Sequence, residues 1–178
     1  MTATPWSMPV AVADIPETGR QVDLVADAQV RAALAKIAGV PGVPKLTAEF
    51  EITRHGRDGV RVVGHVSATV EQKCVLTLEP MEGQVEEEVD LLFVPQAEAS
   101  TADGKPTERA TSDEPPEALH NGIVDLGAVA TEFLLLGIDP YPRKPGSVFD
   151  APKAKENEAD HPFAALAALK KGKDRTDK

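Results

Sequence analysis

The sequence predicts an α+β protein: an antiparallel β meander, with curling toward a barrel left open, packed with two main helices and a short C-terminal helix. Three observations carry this reading. Apolar and polar residues alternate with period two across much of the stretch from Leu46 to Phe93, as in strands with one buried face. Two other segments, 27–38 and 125–136, place apolar residues at helical spacing behind an aspartate. Hydrophobic residues make up 42% of the 178 and aromatics only 4%, so the core must be built from Val, Leu, Ala and Ile.

Along the chain, Pro9–Val12 reads as a short strand and Arg20–Leu24 as a second, separated by the turn at Pro16–Gly19. Asp27 is placed to cap a helix running to Ala38 by accepting from backbone N–H groups one turn on. Val30, Ala33, Leu34 and Ile37 share one face of it, and Gly39 supplies the left-handed residue that ends it. Leu46, Ala48, Phe50 and Ile52 then alternate with polar residues, and Arg54–Gly59 reads as a hairpin loop. From Val60 to Leu78 the even positions are mainly apolar and the odd ones mostly polar. That run exceeds the usual strand of about 5–6 residues, so a break is expected near Gly64 or Gln72-Lys73. Glu79–Gly83 reads as the next turn, and Val85, Val89, Leu91 and Phe93 return on one face. Glu87 falls inward by the same period and marks an edge, a bulge or a strand end.

Residues 96–120 lose all apolar periodicity and are rich in Ala, Ser, Thr, Asp, Glu and Pro. Such a segment buries too little to offset its ordering entropy and is expected to be disordered. Order is expected to resume at Asn121, with Asp125 capping a helix whose apolar stripe is Leu126, Val129, Phe133, Leu134 and Leu136. Gly137 stops it, and Ile138–Pro142 turns the chain out. A last short helix is expected at Phe163–Lys171 behind Pro162. The organisation is thus a β-rich body with one helix over 1–95, an acidic linker over 96–120, a strand and helix over 121–142 packing back on the body, and a mobile linker with a basic C-terminal helix over 143–178.

The net charge of −10 is uneven. Residues 1–95 hold 8 Lys/Arg against 14 Asp/Glu, whereas residues 143–178 hold 9 against 6. An acidic body repels phosphate backbones, whose neutralisation dominates nucleic-acid affinity, and instead steers basic proteins inward. No run of about 20 apolar residues exists to cross a bilayer, and the first 14 residues lack the charge and apolar core of a signal peptide. With one cysteine, no intramolecular disulfide can form. The expected compartment is the cytoplasm.

Catalytic signatures are missing. Cys74 falls on the apolar face of an expected strand and reads as a buried structural thiol. His55, His65, His120 and His161 show no metal-ligand spacing. The run Glu86-Glu87-Glu88-Asp90 alternates between faces and does not converge. No phosphate-binding glycine loop or nucleophile elbow occurs. The expectation is a non-enzyme with no cofactor and no metal. Two features are candidates for contact with a partner or RNA. One is the proline-stiffened exit bearing Tyr141, Arg143 and Lys144. The other is the tail bearing Lys170, Lys171, Lys173 and Arg175.

Three segments together carry a resemblance. They are Cys74-Val75-Leu76-Thr77-Leu78-Glu79-Pro80 with Val85–Val89 and Phe93; Ile123–Gly127 through Glu132–Leu136 and Asp139-Pro140-Tyr141-Pro142; and Pro162–Leu166. Over roughly residues 8–170 this arrangement resembles the YceD family, the large ribosomal RNA subunit accumulation proteins. The resemblance implies a non-enzymatic cytosolic factor promoting 23S rRNA accumulation and large-subunit assembly. Its partner would be a large-subunit ribosomal protein or assembly factor, or 23S rRNA. Many members carry a second cysteine or an arginine near the first. Here Cys74 is followed by Val75, Leu76, Thr77 and Leu78, which removes a metal reading. No catalytic or binding residues carry over from the family. The other reading left open is a small acidic adaptor or chaperone-like module unrelated to ribosomes.

Overall fold

A computed structural model describes residues 5–95 and 116–148. The chain divides into two compact units, Met1–Pro145 and Gly146–Lys178. The second is described only over residues 146–148, so Lys170, Lys171, Lys173, Arg175 and the expected C-terminal helix lie outside the described residues.

The first unit is α+β with a largely antiparallel sheet. Its elements are β1 (Pro9–Ala11), a 3-10 turn (Val12–Asp14), β2 (Arg20–Val25), α1 (Ala28–Ala38), β3 (Gly42–His55), β4 (Gly59–Lys73), β5 (Pro80–Pro95), β6 (Glu117–Leu119), β7 (Ile123–Asp125) and α2 (Leu126–Gly137). The sheet runs β2-β3-β4-β5-β6, and β1 pairs with β7 in a separate two-stranded ribbon. β2 and β6 end the sheet without meeting, so no barrel closes. β6 runs parallel to β5, while the other neighbours are antiparallel.

β4 does not break at Gly64. It stays regular for 15 residues because β3 and β5 pair with it on both sides. Gly64 lies opposite Phe50. A Cβ there would meet the Glu49 carbonyl and stand 2.9 Å from both Cα and a ring carbon of Phe50. The glycine is a notch filled by an aromatic neighbour rather than an interruption. β4 ends at Lys73, the second expected place. The connection to β5 is therefore Cys74–Glu79, earlier than expected, and Cys74 lies in a turn rather than on a strand. Leu78 adopts φ 60° in that turn. A leucine in the left-handed region gives no sequence signal, whereas Gly83 suggested a turn and sits inside β5 instead.

The apolar face of β2–β5 is covered by α1, α2 and the β1–β7 ribbon. Phe50, Ile52, Val62, Val66 and Leu134 are among the residues sealed in it. Asp27 caps α1 by accepting from Val30 N–H at 2.8 Å, and Gly39 closes it at φ 68°. The buried face of α1 is centred on Leu34 and Ala35, and Ile37 of the expected stripe is exposed. Glu87 follows the inward period with no bulge, paired with Val66. It lies beneath the end of α2, where a Cβ on Gly137 would stand 2.7 Å from its side chain. Gly137 thus permits close packing of the last helical turn, and Ile138, in an extended conformation, caps the helix. β6 forms inside the segment expected to be disordered, through backbone pairing to the end of β5 that leaves no apolar period.

Asp125 fastens the ribbon to the helix. Its Oδ1 accepts from Gly127 N–H at 3.0 Å, Ala128 N–H at 3.2 Å and Met8 N–H at 2.7 Å, and its Oδ2 accepts from Ser7 Oγ at 2.6 Å. Gly127 lets the backbone at Trp6 pass within 2.7 Å of where a Cβ would stand. Replacing Asp125 by Ala removes a cap and two long-range bonds. We expect Asp125→Ala to cost about 2 kcal/mol in urea unfolding; an unchanged midpoint would contradict this role. Gly64→Ala should cost about 1–3 kcal/mol by overpacking, checked by the same titration.

Candidate functional site

The turn after β4 and the chain leaving α2 are built as one unit. Gln72 Nε2 donates to the Asp139 carbonyl at 2.7 Å, Val75 N–H to the Pro142 carbonyl at 2.9 Å, and Lys144 N–H to Cys74 Sγ at 3.4 Å. Within the turn, Cys74 N–H donates to the Glu79 carbonyl and Leu78 N–H to the Cys74 carbonyl, both at 2.9 Å. Lys144 Nζ reaches Glu79 Oε2 at 2.8 Å, and each ion holds the other's pKa in its charged direction.

The cysteine environment differs from the apolar one expected. Cys74 exposes none of its surface, yet it is not part of the contiguous apolar cluster. Donors surround the sulfur. The Lys144 N–H, then the Thr77 hydroxyl and N–H, pull its pKa from 9.0 to about 6, with burial opposing and Leu76 N–H helping. These donors favour the ionised form of the thiol. The sulfur is fully buried and serves as an acceptor that ties the turn to the exit. No cluster of three metal-ligating residues occurs among the described residues.

These bonds also place the expected contact residues. Tyr141 is 71% exposed with its N–H held by Asp139 Oδ1 at 2.8 Å, so the ring faces solvent. Arg143 is exposed. Lys144 is engaged with Glu79 and Cys74, which makes it part of the lock. The exit therefore brings together Tyr141, Arg143 and Lys144 on a fixed frame, and the start of the expected mobile linker at Arg143 belongs to the first unit.

No described helix or ribbon covers the second face of the sheet. It displays Asp23 on β2, Glu49 and Glu51 on β3, Glu71 on β4, and Glu82, Glu86, Glu88 and Asp90 on β5. Lys45, Arg61 and Lys73 are the cations among them. Register aligns Asp23, Glu49, His65 and Glu88 in one row across four strands. Asp90 is engaged by Arg61 through two bonds of 2.8 and 2.6 Å, which lower its pKa. These eight carboxylates outnumber the three cations, so the face presents a net negative field.

A third feature lies between α2 and the end of β5 with β6. Here a groove of about 560 Å³ is lined by Leu91, Phe93, Val129 and Phe133 together with Glu117, His120, Asp125 and Glu132. Periodicity gave no sign of it, because it joins elements separated by residues 96–115.

The described residues define a class: an α+β protein with a largely antiparallel sheet, an acidic sheet face and an apolar groove. The family model described as large ribosomal RNA subunit accumulation protein YceD matches residues 62–170, more than half of the chain. The chain belongs to the YceD family. The match takes in most of β4, the Cys74 turn, the groove and the exit, and starts later than the resemblance read from Met8 onward. No curated protein and no solved structure matches it. No described helix is long and apolar enough to cross a membrane.

The cysteine lock has a pH signature. A folded pKa below the unfolded value contributes stability that is complete above about 9 and is lost as pH falls through about 6. Cys74→Ser, whose hydroxyl does not ionise in this range, should remove that part of the slope. Urea midpoints at several pH values check it: the gap between the native chain and the variant should widen from pH 5.5 to 9. A constant gap would contradict a thiolate.

Proposed function

We propose that this chain promotes accumulation of 23S rRNA and assembly of the large ribosomal subunit by binding, without a chemical step of its own. The observation that carries the reading is the family match over residues 62–170. The open sheet face supports the choice of partner. Its carboxylates disfavour a phosphate backbone and favour a basic ribosomal or assembly protein, drawn in by long-range attraction. Tyr141 and Arg143 stand on the fixed exit as a second contact, with the basic residues Lys170, Lys171, Lys173 and Arg175 as expected contributors from the tail. The site of action is the cytoplasm.

Depleting the protein should lower mature 23S rRNA and raise large-subunit precursors in gradient profiles; unchanged profiles would sink the reading. Restoring expression with Glu49→Lys/Glu88→Lys, both exposed on the open face, should rescue less well than the native chain at equal abundance. Full rescue would show that the acidic face is not the contact.

A further inference from the structure

α2 has twelve residues and a single charged side chain, Glu132. One face, with Leu126, Ala130 and Leu134, is buried against the sheet and ribbon. A second face, with Val129 buried, Phe133 half-buried and Leu136 exposed at helical spacing, lines the groove. Leu136 is 71% exposed and Ile123, in the same lining, 45%. A helix apolar on two sides is normally covered on both. Among the described residues this side is covered at Val129 and open at Leu136, and the carboxylates of Glu117 and Glu132 belong to the same lining.

We propose that this groove receives an amphipathic helix of another protein, with apolar residues one turn apart facing Phe93 and Phe133 and Lys or Arg residues flanking them to meet Glu117 and Glu132. The charge on the rim selects the occupant. Residues 96–115, which join the two sides of the groove in sequence, contain no Val, Ile, Leu, Met, Phe or Trp and carry five carboxylates against two cations. They lack the apolar groups to fill it and repeat the charge of its rim. A second copy docking through the same groove about a twofold axis would set Glu117 and Glu132 against themselves. A strand is a poorer fit than a helix, because β6 is three residues long and its edge offers few backbone bonds. An apolar helix with cationic flanks answers both the floor and the rim. This surface is distinct from the open sheet face, and the inference does not depend on the ribosomal reading.

The test uses the full chain and a fluorescent synthetic helix of Leu and Lys, with Leu at i, i+3, i+4 and i+7. A scrambled peptide of the same composition serves as control. Anisotropy should show saturable binding of the patterned peptide and about tenfold weaker binding of the scrambled one. Leu136→Ser and Glu132→Lys, both at exposed positions, should each weaken the patterned peptide by about tenfold while leaving the urea midpoint near that of the native chain. Equal binding of both peptides would reduce the attraction to charge alone and overturn the proposal. Variants that bind as the native chain does would place the contact elsewhere and also overturn it. Binding seen only after removal of residues 149–178 would assign the groove to the chain's own C-terminal segment, again overturning it.

Discussion

Three strands of 14, 15 and 16 residues hold register against one another because their buried aliphatic side chains lie mainly on one face. A slip of one residue would carry Phe50, Val62 and Val89 into water and bring Glu49, Arg61 and Glu88 into the core. That penalty fixes the pairing of β2 through β5. It also fixes what the other face can be, since residues opposite a buried aliphatic row must tolerate solvent. The open acidic face is therefore a direct product of the strand period, and the function proposed for it uses a surface that the fold itself creates.

The covering layer has its own dependence. α1 is local to β2 and β3 and is specified by a cap at each end. α2 comes after a long excursion and must be returned to the sheet by contacts distant in sequence. Asp125 does this by spending both carboxylate oxygens on the helix start and on the chain at Ser7 and Met8. At the other end of α2, Gln72, Cys74 and Val75 hold the exit. Between these two fastenings the helix is anchored while its outer apolar side stays open to the groove. The same anchoring gives Cys74 the role of a hydrogen-bond acceptor in a polar turn.

Much of the sheet was legible in the sequence because a period of two is a local signal with a simple cause. The caps Asp27, Asp125 and Gly39 were legible for the same reason. What failed to read had non-local or backbone causes. Gly64 looked like a break, since its value depends on Phe50 in the neighbouring strand. The turn after β4 was displaced toward Gly83 because Leu78 adopts a left-handed conformation that its residue type does not advertise. Ile37 and Leu136 fitted helical stripes but stand outside the core, as periodicity says which residues share a face and not how far a neighbouring layer extends. β6 has no pattern at all and exists by pairing to β5. Of the candidate contacts, Tyr141 and Arg143 were readable as exposed groups on a proline-stiffened exit. The role of Lys144 in the lock was not, since its partners Cys74 and Glu79 lie far away in sequence.

The account's central claim is that this protein acts through uncovered surfaces that meet a basic protein. Photocrosslinking in cells tests it most directly, with a crosslinking residue placed at position 49 or 88 on the open face and both bound proteins and bound RNA identified. The account predicts crosslinks to a basic large-subunit protein or assembly factor, with little RNA recovered from these positions. Crosslinks chiefly to rRNA, or none above those from a position on the covered side, would contradict it.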